Sequence, residues 1–220
     1  MKVTGVKTFL VEPEQHKAVL FVNVETDAGI HGWGEVYTVS ARETALERLT
    51  QELGTYLIGR DPSHIKHFTQ AIYRDVAIKR GSMDWYCAIS GLEIALWDIL
   101  GKALGAPVYV LLGGACRTSI RVYGTPSGSA GDATGVAALA QRARNTVALG
   151  YDALKFDPFP GPWQPHIDFA AEQLAVERVA AVREAVGPHV EILIEVHRRL
   201  VSSLWARAAA LRSPCRRHHC

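Results

Sequence analysis

Over the first forty residues, apolar, β-branched runs are separated by polar and turn-forming residues. Three runs stand out, at 2–11, 17–27 and 30–38, and each predicts a strand. Ala18-Val19-Leu20-Phe21-Val22-Asn23-Val24 is apolar and β-branched. Asp27-Ala28-Gly29 is a tight-turn signal. Gly32-Trp33-Gly34-Glu35 follows, with glycines where a backbone must bend or approach another closely. The simplest reading is an antiparallel meander of three strands.

A helical period then takes over. Ala45, Leu49, Leu53 and Leu57 lie four apart and predict a helix over 44–57. Asp61-Pro62-Ser63 breaks it. A second helix is expected over 64–78, with Ile65, Phe68, Ile72 and Val76 as its buried face. A third is expected over 84–104. It is apolar at Trp85, Ala88, Ile89, Leu92, Leu96 and Ile99, a composition suited to burial between layers, and Gly105-Ala106-Pro107 ends it.

From about residue 118 the pattern becomes strand, helix, strand, helix, strand. Strands are expected at 119–123, 153–157 and 190–196. Helices are expected at 133–149, closed by Gly150, and at 165–186, closed by Gly187-Pro188. This alternation belongs to parallel β/α folds. The Pro-rich run 158–163 follows the second of these strands, where such folds place substrate loops; a rigid connector explains it equally well.

Candidate chemistry gathers at the ends of two of these strands. Ile192-Leu193-Ile194 is an apolar, β-branched run that ends in Glu195, Val196, His197, Arg198 and Arg199. A buried strand whose end opens into an active site has this form. Glu195 and His197 are two apart, and so are Lys155 and Asp157, so each pair shares one face of its strand. Two neighbouring strands would thus deliver four polar groups to one rim. The competing explanation is that any chain turns polar where a strand ends. His64 and His67 are three apart on a helix but have no third donor nearby in sequence, and they read as surface or capping residues.

Composition narrows the class. Of the 220 residues, 48% are hydrophobic and 21% charged, and the formal net charge is +2. These are the values of a soluble globular protein, with no field to attract nucleic acid. All 22 acidic residues precede position 201, whereas the last twenty positions carry four arginines and no acid. Cys87, Cys116, Cys215 and Cys220 have neither paired metal spacing nor the density of a secreted scaffold. A reduced, cytoplasmic setting is the expectation. No signal segment is expected at Met1-Lys2-Val3-Thr4, and no apolar run approaches the ~20 residues of a membrane helix. Cys215, His218, His219 and Cys220 are too close together to close a zinc tetrahedron well.

Ala95-Leu96-Trp97-Asp98-Ile99-Leu100-Gly101-Lys102-Ala103-Leu104-Gly105-Ala106-Pro107-Val108-Tyr109-Val110-Leu111-Leu112-Gly113-Gly114 resembles the linking helix and Leu-Leu-Gly-Gly turn of the enolase superfamily, in its mandelate racemase/muconate lactonizing enzyme branch. Gly32-Trp33-Gly34-Glu35 is similar to a turn of that family's capping domain. The resemblance covers about residues 1–200. It implies an α+β capping domain over 1–115, then the first β/α units of a modified, TIM-like (β/α)8 barrel over 116–200, with about three of the eight strands. The tail 201–220 reads as aberrant or disordered sequence.

The resemblance also implies Mg²⁺ held by acidic residues at strand ends, and removal of a proton next to a substrate carboxylate. Glu195 falls at the first metal-ligand position. His197 falls where the galactonate-type dehydratases have a general acid for the departing hydroxyl. Lys155 matches the first lysine of a Lys-x-Lys pair used by the racemases, whose second lysine is replaced here by Asp157. That departure, with Arg199 completing a Glu-x-His-x-Arg run, points to elimination of water from a sugar acid. Lys155 and His197 are then catalytic, and Asp157 and Arg199 bind substrate. The alternatives are a racemase, epimerase or cycloisomerase of the same superfamily, or a non-catalytic interaction module. The resemblance further implies a small-molecule substrate, no nucleic-acid or membrane partner, and homo-oligomers among full-length relatives. With the later strands absent, weak Mg²⁺ binding and no turnover are expected of this chain alone.

Overall fold

The computed structural model describes residues 1–12, 17–38, 41–75, 82–126, 135–159 and 167–196. His197 and Arg199, the run 160–166 and the tail from 201 lie outside the described residues, as does Val76. Two compact units are present, one over Met1–Thr118 and a second beginning at Ser119.

The first unit opens with β1 (Val3–Val11), β2 (Val19–Thr26) and β3 (His31–Val36), an antiparallel sheet in the order β1-β2-β3. The predicted turn is realised at Gly29, which has φ +75° and donates its N–H to Thr26 O; glycine adopts that conformation without steric cost. The register pairs Leu20 with Val36, Val22 with Gly34 and Val24 with Gly32. All six are buried, so one face of the sheet is apolar and the other solvated.

Helix α1 (Glu43–Gly54) continues into a single 3-10 turn at Thr55–Leu57, and α2 covers Ile65–Asp75. The stripe of α1 differs from the expected one. Leu46, Thr50 and Leu53 are buried, Leu49 is half-buried and Ala45 is exposed. Thr50 is accommodated because its hydroxyl donates to Leu46 O, which removes the cost of burying it unpaired. In α2, Ile65, Phe68 and Ile72 are buried as expected.

Helix α3 (Met83–Leu104) is the centre of this unit. Ser82 caps its start by accepting from Trp85 N–H, and Gly105, at φ +63°, closes its end. Trp85, Ala88, Leu92, Ala95, Leu96 and Ile99 face a core shared with Leu20, Val22, Val24, Leu53, Phe68 and Ile72. A short helix, α4 (Val108–Leu111), follows at the family-like linker; sequence periodicity did not foresee it, since four residues are too few to show a period.

The second unit contains α5 (Val136–Ala148), β4 (Ala153–Phe156), α6 (Phe169–Val186) and β5 (Glu191–Ile194). Strands β4 and β5 pair in parallel, Ala153 with Glu191 through Phe156 with Ile194. Leu139, Ala143, Leu154, Phe156, Val182 and Val190 form their core. Asp168 caps α6 by accepting from Ala171 N–H, and Gly150, at φ +98°, follows α5.

Two expectations are corrected here. The strand at 119–123 does not form: the segment makes one parallel bridge, Gly124 to Leu154, with Gly124 N–H donating to Ala153 O and Gly124 O accepting from Lys155 N–H. The β5 run is also less buried than its composition suggested, with Leu193 and Ile194 exposed. Among the described residues β5 has one strand neighbour, so its apolar side chains are covered incompletely.

Candidate active site

The ends of β4 and β5 bring Lys155 and Glu195 together. Lys155 sits opposite Leu193 in the ladder, and Glu195 lies two residues further along the second strand. Alternation puts Lys155, Leu193 and Glu195 on one face. Glu195 N–H donates to Phe156 O, which fixes the backbone just beyond β5. The result is an ion pair in which Lys155 Nζ donates to Glu195 Oε2 at 2.6 Å, with the two side chains 34% and 28% exposed. Its exposure is close to that of the Lys102–Asp98 pair, at 43% and 32%, so salt screens it in part.

The hydrogen bond to Glu195 raises the Lys155 pKa above its usual value. Burial opposes this, and the charges of Glu195 and Tyr123 add to it. The Tyr123 ring centroid lies 5.6 Å from Nζ, within reach of a cation–π contact. Reasoning from sequence missed Tyr123. The signal available was its position at the end of an expected strand, next to Gly124.

Asp157, the partner of Lys155 in the two-apart reading, uses Oδ1 to accept the N–H of Phe159 at 3.0 Å. Its carboxylate therefore also shapes the turn after β4. That turn is anchored from α6, where Arg178 donates to Pro158 O at 2.8 Å. At the other end of the same strands, Arg121 pairs with Asp152 at 3.2 Å and with Glu191 at 2.9 Å. The structure thus places one exposed cationic clamp where the strands begin and one half-buried pair where they end.

A separate cavity of about 270 Å³ in the first unit is lined by Leu57, Arg60, Asp61, His64, His67, Phe68 and Leu96. His64 and His67 are exposed, as expected of surface residues. Asp61 accepts both the N–H and the hydroxyl of Ser63, which hold its carboxyl below the usual range.

The capping sheet with its helices and the parallel β/α units define a class. The mandelate racemase/muconate lactonizing enzyme N-terminal domain profile matches residues 7–113, and the enolase C-terminal domain-like profile matches residues 138–214. The chain belongs to the enolase superfamily, in its mandelate racemase/muconate lactonizing enzyme branch. It carries the capping domain and part of the barrel domain. Within that branch it is similar to the D-galactonate dehydratase of Xanthomonas oryzae pv. oryzae, 39% identical over 201 residues, which is 91% of this chain and 49% of that protein.

Among solved structures, the mandelate racemase/muconate lactonizing enzyme from Jannaschia sp. CCS1 superposes with a TM-score of 0.86 at 31% identity, covering 97% of this chain and 59% of the other. The enzyme of the same description from a Sulfitobacter species does so with a TM-score of 0.86 at 28% identity, covering 97% and 57%. The chain thus spans about half the length of the curated relatives it matches.

The family implies a divalent cation. Glu195 offers the hard oxygen donor that Mg²⁺ prefers, and its carboxylate already holds one cationic group, the Lys155 ammonium. Among the described residues no group of three or more His, Cys, Asp or Glu could hold a metal ion. Glu195 is a carboxylate of the kind such a cation binds, and the described residues show no completed site around it. Among the described residues, too, no helix is long and apolar enough to cross a membrane.

Proposed function

We propose that residues 1–115 form the capping domain and residues 116–200 the first β/α units of a Mg²⁺-dependent carbon–oxygen lyase that removes water from a sugar acid of galactonate type. The observation that carries this reading is the Lys155–Glu195 pair at the ends of two parallel strands. It is supported by the likeness to D-galactonate dehydratases. In β/α folds that end is where substrates meet catalytic groups.

Each side chain then has a task. Glu195 holds the cation, which would supply electrostatic stabilisation for charge developing on the substrate carboxylate. Lys155 presents a positive charge to the same anionic substrate. His197 donates a proton to the hydroxyl that leaves as water. Asp157 and Arg199 bind substrate hydroxyl and carboxylate groups. Asp157 in place of a second lysine departs from the Lys-x-Lys pair of the racemases and so disfavours two-base racemisation. The enzyme works in the cytoplasm on a small molecule, and its full-length relatives assemble as homo-oligomers.

The 220-residue chain by itself binds Mg²⁺ weakly and gives no turnover, because one carboxylate does not fix a near-octahedral cation. A non-catalytic interaction module is the alternative reading.

The first test is a sugar-acid screen on a full-length relative that carries the Lys155, Glu195 and His197 equivalents. A 2-keto-3-deoxy acid product supports dehydration, whereas deuterium uptake from solvent without water loss would favour racemisation or epimerisation. The second is a calorimetric Mg²⁺ titration of this chain with the same sugar acids. Tight binding of one ion together with turnover that His197→Ala abolishes would overturn the claim of inactivity.

A further inference from the structure

The odd-numbered face of the β1–β3 sheet points away from the capping core, yet much of it is apolar. Register sets Val11 beside Val19, puts Phe9, Phe21 and Glu35 in one row, and puts Lys7, Asn23 and Trp33 in the next. Phe9, Val11 and Trp33 are 43%, 47% and 42% exposed, and Val19 and Phe21 are half-buried. The Phe9 and Trp33 ring centroids lie 5.3 Å apart although β2 runs between their strands. Asn23, which sits between them in the sheet, is buried. A sheet with one wet face ordinarily turns polar side chains to the water. A contiguous apolar patch in that position marks an interaction surface.

The charges on this face say what covers it. They lie at opposite edges, Lys7 on β1, paired with Glu25 at 2.6 Å, and Glu35 on β3. A second copy, related by a two-fold axis running along β2, lays β1 of each chain over β3 of the other. Lys7 of one copy then faces Trp33 and Glu35 of the second, and symmetry repeats the contact. Aligned sheets cross at about 30°, which swings the two Glu25 carboxylates apart while Phe21 stays near the axis. A uniformly acidic or basic partner would match one edge of the face and be repelled by the other.

We propose that this face docks against the same face of a second copy of the chain, with Phe9, Phe21 and Trp33 at the centre and two Lys7–Glu35 contacts at the edges. The inference is independent of the tasks assigned to Lys155 and Glu195. Three strands of nine, eight and six residues offer no more than the roughly 800 Å² per partner of an ordinary interface. The dimer is therefore weak and depends on concentration.

Sedimentation velocity of the full 220-residue chain is expected to show a monomer–dimer equilibrium at concentrations up to about 100 µM. Lys7→Glu and Glu35→Lys should each weaken the dimer about tenfold or more, because each sets two like-charge contacts across the axis. An equimolar mixture of the two variants should recover the dimer, since both contacts in the mixed pair are again of opposite sign. Both positions are exposed, and circular dichroism checks that each variant folds. Lys7→Gln and Glu35→Gln, milder changes at the same positions, repeat the weakening should a reversal disturb the fold. A chain that stays monomeric, association that neither reversal weakens, or a mixture no more dimeric than its components would overturn this interface.

Discussion

Gly34 of β3 and Gly91 of α3 meet backbone against backbone. A Cβ built on Gly34 would run into the carbonyl oxygen of Gly91, and one on Gly91 would run into the Val36 side chain. Gly32 stands in the same relation to the Ala95 carbonyl. The central helix therefore rests on the sheet at a distance that no side chain permits. That contact seats Ala88, Leu92 and Ala95, all fully buried, in the capping core.

Gly34→Ala is accordingly expected to cost about 3 kcal/mol or more, since the obstructing atom is backbone and the whole helix would have to lift. Urea unfolding followed by far-UV circular dichroism measures it. A loss under about 0.5 kcal/mol, the range of neutral surface changes, would contradict the close seating.

The two cores share no residue. Leu154, fully buried, is central to the second, and Leu154→Ala should cost about 2–5 kcal/mol by leaving a cavity. Hydrogen exchange locates the effect. Faster exchange is expected in α5, β4 and α6, with the α3 amides unchanged. Equal acceleration in α3 would mean that the units unfold as one.

Arg121 reaches both Asp152 and Glu191, and these two carboxylates raise its pKa. All three side chains are more than half exposed, so the clamp is weak and sensitive to salt. Arg121→Glu, which sets three acids together, is expected to lower the melting temperature of the second unit in dilute buffer. Most of that difference should vanish in about 1 M salt, where the Debye length is roughly 3 Å. A difference that persists undiminished would place the effect in packing.

Cys87 lies half-buried on α3, and Cys116 is exposed. Burial pushes the Cys87 thiol up, and the Asp84 charge adds to this against Lys17 and Arg42. Because the neutral thiol is the favoured form, its contribution to stability is present below the ordinary thiol pKa and is lost as pH rises through the raised value. Iodoacetamide near pH 8 should therefore label the Cys116 peptide well before the Cys87 peptide, as read by mass spectrometry. Preferential labelling of Cys87 would show that its thiolate is accessible and stabilised.

Much of the architecture was written in the sequence as local pattern. Apolar, β-branched runs marked β1 to β3, Gly105 marked the end of the long apolar helix, and Gly32 and Gly34 announced a close approach later found against α3. These features depend on residues a few positions apart, and period and capping report that range well. Lys155 and Glu195 were each marked as polar residues at strand ends, but grouped with Asp157 and His197 of their own strands.

Only the tertiary structure decided that Lys155 and Glu195, forty residues apart, bond to each other. Strand register sets that contact, and register is a non-local choice no short window contains. The same reason explains the other departures. Residues 119–123 had the composition of a strand but found a single bridge at Gly124. The buried stripe of α1 moved to Leu46 and Thr50 because the surface beneath it selected which turn faces inward. Arg121 was silent in sequence, since its meaning lies in Asp152 and Glu191, which the parallel pairing of β4 and β5 brings beside it. Local chemistry chose the elements, and pairing between distant segments chose which side chains meet.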